Sequence, residues 1–199
     1  MQHRIRQYGL EAGSLEIEYM EQCIGEFAAP KTAQQILHRL AGRDHLVLIS
    51  LAPSPEDEDH WIPVAFKVGH ELLAAEREDG DEALADLSRR LSGCVGFGRH
   101  RVFYSWLGAT RQLWRRQGHY RALTEQQEEW ALQHGYREFV VKTKNRFFGM
   151  RAALDHLQFE VVHFEPDRGD NANSKVYMAK LLSEDLIGHH STSRLITRA

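Results

Sequence analysis

The sequence predicts an α/β protein: a mixed central sheet of about seven strands with flanking helices, in the order β-α-α-β-β-β-α-β-α-β-β. Three observations lead there. Short runs rich in β-branched and aromatic residues alternate with segments whose apolar residues recur at helical spacing. The stretch from His100 to Lys144 reads strand–loop–helix–strand, which requires a parallel pair joined by a crossover. A chain of 199 residues with 42% hydrophobic content has enough apolar material for one core, which suits a single domain over residues 1–182.

The elements follow in order. Residues 1–10 are expected to hold a first strand. From Ser14 to Phe27, Leu15, Tyr19, Cys23, Ile24 and Phe27 sit at helical spacing, with Ser14 placed to cap the N-terminus. Pro30 breaks the chain, and Lys31–Gly42 makes a second short helix that stops at glycine. His45–Ala52 and Trp61–Glu71 are β-type runs joined by the polar turn PSPEDEDH, the pattern of an antiparallel hairpin. Residues 72–93 form a charged helical segment interrupted at Gly80, and with the glycine string Gly93–Gly98 they make an insertion at 72–98 long enough to act as a lid. His100–Thr110 is the next strand. A helix follows, with Leu123, Trp130, Ala131 and His134 on one face and Gly135 as its stop. Tyr136–Lys144 is a strand, Asn145–Leu157 a helix, and Phe159–Glu165 and Ser174–Leu182 the last two strands. The tail from Ser183 has no periodicity and is expected to be disordered.

Composition excludes several classes. No apolar run approaches the roughly 18 residues of a membrane span, and the N-terminus lacks the apolar centre of a signal peptide. Cys23 and Cys94 have neither disulfide-framework nor metal-site spacing, which points to a reducing cytoplasm and to no metal. His70-Glu71 lacks the second histidine of a zinc-hydrolase motif, because Ala74 stands in that place. Gly93–Gly98 lacks the lysine and hydroxyl of a phosphate-binding P-loop.

A net charge of −3 gives no general reason to bind nucleic acid or a membrane. The distribution says more. Between Asp86 and Glu125 there is no carboxylate and no lysine, yet eight arginines fall there: Arg89, Arg90, Arg99, Arg101, Arg111, Arg115, Arg116 and Arg121. Guanidinium forks suit phosphate oxygens. Several of them surround Gly118 at a helix start, where unpaired backbone N–H groups and a partial positive charge favour an anion. In open α/β sheets, ligands bind beyond the carboxyl ends of the strands, which is where Thr110–His119 lie in this reading.

The run Gly108–Tyr120, GATRQLWRRQGHY, resembles the acyl-CoA-binding segment of the GNAT N-acetyltransferases, whose signature is Gln/Arg-x-x-Gly-x-Gly/Ala between a central strand and a long helix. Arg115 and Gly118 match, while Tyr120 stands where a small residue is usual. The likeness runs from about Trp61 to Leu182 and includes the element order. It implies that acetyl-CoA is the co-substrate, and that Arg115, Arg116, Gln117, Gly118, His119 and Tyr120 hold its pyrophosphate. In the family the strand before the loop carries a bulge and splays from its neighbour. Its backbone groups, here those of Ala109 and Thr110, then bond the pantetheine arm. Asn145 stands where relatives place a cofactor-contacting asparagine; an ordinary helix cap is the competing role. The tyrosine that relatives use to protonate the departing thiolate falls at Leu154, so the usual acid is missing.

Acetyl transfer needs a neutral amine beside the thioester carbonyl and a route for its proton. Glu71, ending the strand beside the central one, is the first candidate base, with Tyr104 and Ser105 placed to orient a substrate or a water. The expected function is therefore acetyl transfer to a primary amine of a small molecule or peptide, with the carboxylates of Pro55–Asp59 and of the insertion favouring a cationic acceptor. The alternative is a non-catalytic module that binds acyl-CoA or another polyanion. A homodimer through the C-terminal strands is what the resemblance implies.

Overall fold

The computed structural model describes residues 3–9, 20, 31–78 and 80–185. The expected helix at Ser14–Phe27, apart from Met20, and the tail beyond residue 185 lie outside the described residues. The strands are β1 (Arg4–Tyr8), β2 (His45–Pro53), β3 (Trp61–Leu72), β4 (Arg101–Thr110), β5 (Tyr136–Lys144), β6 (Glu160–Glu165) and β7 (Lys175–Leu181). The helices are α1 (Ala33–Leu40), α2 (Glu82–Leu91), α3 (His119–Gln133) and α4 (Phe148–His156). The sheet has seven strands in the order β1-β2-β3-β4-β5-β7-β6, which is the predicted mixed architecture. The chain divides into two compact units, Met1–His70 with Trp106–Gln127, and Glu71–Ser105 with Glu128–Ala199.

In the first unit, β2 pairs antiparallel with β1 and with β3, and the β2–β3 register shifts at Ser50/Leu51. The hairpin turn closes through the Ser54 N–H on the His60 carbonyl at 2.7 Å, and the Asp57 carboxylate accepts the Asp59 N–H. Residues Leu46–Ala52 of β2 and Val64–His70 of β3 are buried without a break. Strands covered on both faces lose the period-two alternation, which is why these runs read as continuous apolar stretches. Thr32 and Gln35 form a reciprocal capping box at the start of α1. The core of this unit gathers Met20, Ile36, Leu40, Val47, Ile49, Leu51, Phe66, Val68 and Ala109.

In the second unit, β5 lies between β4 and β7. It runs parallel to β4 from Arg101↔Tyr136 to Ser105↔Val141 and antiparallel to β7. Phe103 sits at the centre of an aromatic cluster, with the rings of Trp130, Tyr136 and Phe139 at 5.3–5.5 Å. The charged insertion resolves into a 3₁₀ turn at Ala75–Arg77 and then α2, whose N-cap Asp81 accepts the Leu84 N–H. Gly80, at φ +78°, separates the two pieces. The helix expected from Asn145 begins later, at Phe148, with Phe147 as its N-cap and no capping side chain. At its far end Gln158 takes φ +64°, a left-handed conformation that glycine adopts without strain.

Candidate functional site

The arginine loop joins β4 to α3 inside the first unit. Arg111 still pairs with β3, its N–H donating to the Val64 carbonyl at 2.9 Å. The chain then makes a 3₁₀ turn at Gln112–Trp114. Two residues beyond it take positive φ: Arg116 at +63° and Gly118 at +84°. Left-handed residues interspersed in a turn curl successive N–H groups toward a common concavity, a geometry that receives anions. A Cβ on Gly118 would meet no atom within 4 Å, so the demand for glycine there comes from φ and not from crowding. The Gly118 carbonyl accepts the Ala122 N–H, opening a helix of 15 residues. Among the described residues, the N–H groups of Arg116, Gln117, Gly118 and His119 have no backbone acceptor.

The loop is braced from inside. His119 is 1% exposed, and its Nδ1 lies 2.9 Å from the Ser50 hydroxyl on β2. Burial, and then the neighbouring His3, push its pKa down from 6.5 to about 4, so the ring is neutral at working pH. A charged imidazolium would oppose the positive end of α3, and the neutral ring avoids that. The Trp114 ring meets His119 edge-on at 6.1 Å. Arg115 Nε donates to the Thr110 carbonyl at 3.2 Å, and Gln117 Nε2 to the Leu113 carbonyl. Lys67 of β3, only 2% exposed, donates from Nζ to Thr124 Oγ1 and sits 4.5 Å over the Tyr120 ring. Its stem passes Gly108, where a Cβ would come within 3.3 Å of Lys67 Cγ.

The expected cofactor residues thus divide by what their atoms face. Arg116 and Gly118 offer main chain. His119 contributes its N–H to the loop while its side chain is a core anchor. Tyr120 lies partly buried under Lys67. Ala109 is in the core, and the Thr110 carbonyl is taken up by Arg115. The β4–β5 ladder has a register irregularity at Arg101/Val102 and its last pair is Ser105↔Val141, although β4 itself continues to Thr110.

The remaining candidates belong to the second unit. Glu71 Oε1 accepts from Arg101 Nε and Nη2 at 3.1 and 3.0 Å. Arg101 also donates to the Tyr136 hydroxyl and to the His134 carbonyl just beyond α3. Tyr104 is 5% exposed and pairs with Val140 in the β4–β5 ladder. Asn145 does not cap α4. Its Nδ2 donates to the Asn171 carbonyl at 3.1 Å, its Oδ1 accepts from Arg151, and its N–H donates to the Ser174 carbonyl. Leu154, at the position of the missing acid, is fully buried. Tyr177 donates to Glu165 Oε2 at 3.0 Å; burial and that carboxylate hold its hydroxyl above the usual tyrosine range. Glu165 also takes Lys175 and Arg90, which keep its carboxyl below the usual range. No group of three metal-ligating side chains occurs among the described residues.

Sequence reasoning missed Lys67, Glu128 and Lys180. The last two form an ion pair at 2.6 Å with side chains 0% and 3% exposed. A charge pattern along the chain cannot reveal that two charges so far apart are buried together, so no local signal marked them.

The sequence matches no protein-family model and no curated protein. Solved structures do match. NAA60 of Arabidopsis thaliana in complex with acetyl-CoA shares 13% identity at TM-score 0.65, over 91% of this chain and 99% of that one. The ribosomal-protein-S18-alanine N-acetyltransferase of Escherichia coli shares 14% at TM-score 0.61, over 92% and 95%. A NatC complex bound to Gag peptide and CoA shares 12% at TM-score 0.65, over 92% and 100%. This chain has the fold of the GNAT acetyltransferases.

Proposed function

We propose that the protein is an N-acetyltransferase that uses acetyl-CoA to acetylate a primary amine of a peptide or small molecule. The observation that carries this reading is the loop: left-handed Arg116 and Gly118 bring a run of N–H groups to the start of α3. Those donors, with the partial charge of the helix start, fit a pyrophosphate. Arg115 and Arg116 supply further positive charge, with Gln117 and Tyr120 alongside, and the main chain of Ala109 and Thr110 is assigned to the pantetheine arm. Asn145 is assigned as a further cofactor contact, its amide exchanging Arg151 for the bound group. The fold supports the reading, since relatives of this shape include enzymes crystallised with acetyl-CoA and with CoA plus a peptide.

Acetyl-CoA, when bound, supplies the acyl group and a thiolate leaving group. Glu71 is assigned to receive the amine proton, directly or through a water, and Tyr104 to orient the acceptor. Three carboxylates of the insertion are already engaged, Glu82 by Arg89, Asp86 by Arg90 and Glu78 by the Leu73 N–H, so the attraction for a cationic acceptor is assigned to the Pro55–Asp59 turn and Glu76. The reading includes a cytoplasmic location, from the cysteine usage, and a homodimer, from the family likeness. Among the described residues no helix is long and apolar enough to cross a membrane.

A second reading, a non-catalytic acyl-CoA-binding module, is favoured by Leu154 in place of the acid and by the hold of Arg101 on Glu71. Free-thiol release from acetyl-CoA in the presence of a panel of peptides with varied N-termini and of small amines separates the two. Amine-dependent release supports the enzyme. Acetyl-CoA binding without release under any amine supports the module.

A further inference from the structure

The insertion between β3 and β4 holds a feature that acetyl transfer leaves unused. Within the second unit, Ala74–Arg77, Ser88, Arg89 and the stretch Ser92–Arg99 line a cavity of about 940 Å³. Partly buried polar bonds brace the residues that line it. Ser88 Oγ donates to the Leu73 carbonyl at 2.6 Å, and the Leu73 N–H donates to Glu78 Oε1 at 2.7 Å. On the far side, the Gly96 N–H donates to Glu138 Oε2 at 2.7 Å. A Cβ on Gly96 would come within 3.3 Å of both that oxygen and the His100 ring, so the glycine is what lets the carboxylate approach. The string GCVGFG, which matches no phosphate-loop motif, is a shaped wall of this cavity.

The lining is cationic: Arg77, Arg89 and Arg99 stand against one carboxylate, Glu76. Arg89 pairs with Glu82, while Arg77 and Arg99 are exposed and have no ion-pair partner among the described residues. The N–H groups of Cys94, Val95, Gly96, Phe97 and Arg99 are taken up, and those of Gly93 and Gly98 have no backbone acceptor among the described residues, with open space beside both glycines. The volume lies in the range of small-molecule sites, roughly 300–1,000 Å³, and is far larger than a single ion needs. Guanidinium groups select planar or tetrahedral oxyanions.

We propose that this cavity binds a small polyanionic molecule bearing phosphate or carboxylate groups, held by Arg77 and Arg99 and by the main chain of the glycine turn. The site is built from residues of the second unit and does not depend on the acetyltransferase reading. It gives the insertion a recognition role for an anionic effector.

Cys94 lines the cavity and is exposed, so it reports on occupancy. The experiment follows alkylation of Cys94 by neutral iodoacetamide, read by peptide mass spectrometry. Inorganic pyrophosphate or tricarballylate is titrated against sodium chloride at matched ionic strength. The expected result is saturable, severalfold slowing by at least one of the two anions, and which one protects assigns the phosphate or the carboxylate class. The Arg77→Gln/Arg99→Gln variant loses the protection, and Glu76→Gln strengthens it. A rate that follows ionic strength alone, or protection that survives in the double variant, overturns the proposal. Circular dichroism melts of the variants verify that the fold is intact.

Discussion

The Ser50 hydroxyl and the His119 imidazole meet at 2.9 Å inside the first unit, tying the middle of β2 to the first residue of α3. Through this bond the sheet fixes where the Gly118 turn sits. His119 Nε2 is buried without a hydrogen-bond partner among the described residues. A buried unsatisfied group costs roughly 1–3 kcal/mol, so an apolar replacement of similar size need not destabilise the fold. His119→Leu with Ser50→Ala is therefore expected to keep or raise the melting temperature while raising the KM for acetyl-CoA severalfold, with kcat nearly unchanged. His119→Asn, which preserves a polar atom near the Nδ1 position, is expected to restore much of the affinity. Steady-state kinetics and melting curves on the three proteins check this.

The same histidine makes stability depend on pH. Its pKa is 6.5 in the unfolded chain and about 4 in the fold. Between those values the unfolded chain takes up a proton that the native state excludes, so lowering the pH favours unfolding. Stability contributed by the neutral ring is present above about 6.5 and declines as the pH falls toward 4. Urea midpoints measured across this window are expected to fall in the wild type and to be flatter in His119→Leu. Equal slopes would show that His119 titrates normally.

Arg116 occupies the left-handed region without being glycine. That conformation costs a non-glycine residue roughly 1–2 kcal/mol, and strain of this kind concentrates at binding sites. Arg116→Gly is expected to stabilise the apo protein, by up to about 1 kcal/mol, while weakening acetyl-CoA through the lost charge. A melting scan with and without the ligand reads both effects.

Gln158 has the same backbone problem in a place with no assigned role, the turn from α4 into β6. Gln158→Gly is expected to raise stability by about 1 kcal/mol, or roughly 2–4 °C for a chain of this size. Activity should not change.

Glu71 faces two roles that kinetics can separate. As a base, its replacement by glutamine lowers kcat by about a hundredfold or more and leaves acetyl-CoA affinity intact. As the partner of Arg101, in a half-exposed ion pair, it contributes only about 1 kcal/mol to stability, and Arg101→Gln should then mimic Glu71→Gln. A double-mutant cycle on kcat and on the urea midpoint distinguishes them. A kcat loss specific to Glu71→Gln assigns the base; equal, stability-only effects assign the clamp and turn attention to Tyr104.

Much of the architecture was legible because it is written in local patterns. The strand Tyr136–Lys144 was read to the residue, and the order of strands and helices followed from runs, turns and the crossover between β4 and β5. The Gly118 turn was legible because glycine advertises positive φ. Arg116 was not, since nothing in an arginine announces a left-handed backbone. The capping role weighed for Asn145 failed because a capping preference is weak and the side chain found stronger partners in Arg151 and the 171–174 turn. The arginine-rich window also hid a division of labour. Arg89, Arg90, Arg101 and Arg121 bind carboxylates that lie close in space, and only part of the cluster surrounds the loop. The Arg90–Asp86 and Arg121–Glu125 pairs follow the i,i+4 spacing of a helix, whereas Arg101–Glu71 is set by tertiary packing, which composition does not record.

The central claim is that the Gly118 turn holds the pyrophosphate of acetyl-CoA, and calorimetric titration of acetyl-CoA into wild type and Gly118→Asp tests it most directly. The aspartate would have to adopt φ near +84°, and its carboxylate would occupy and repel the phosphate position. The expected result is one-to-one binding to the wild type, little binding of AMP, and no measurable binding to a Gly118→Asp protein that circular dichroism shows to be folded. Equal affinity in the two proteins, or no binding to the wild type, would contradict the assignment.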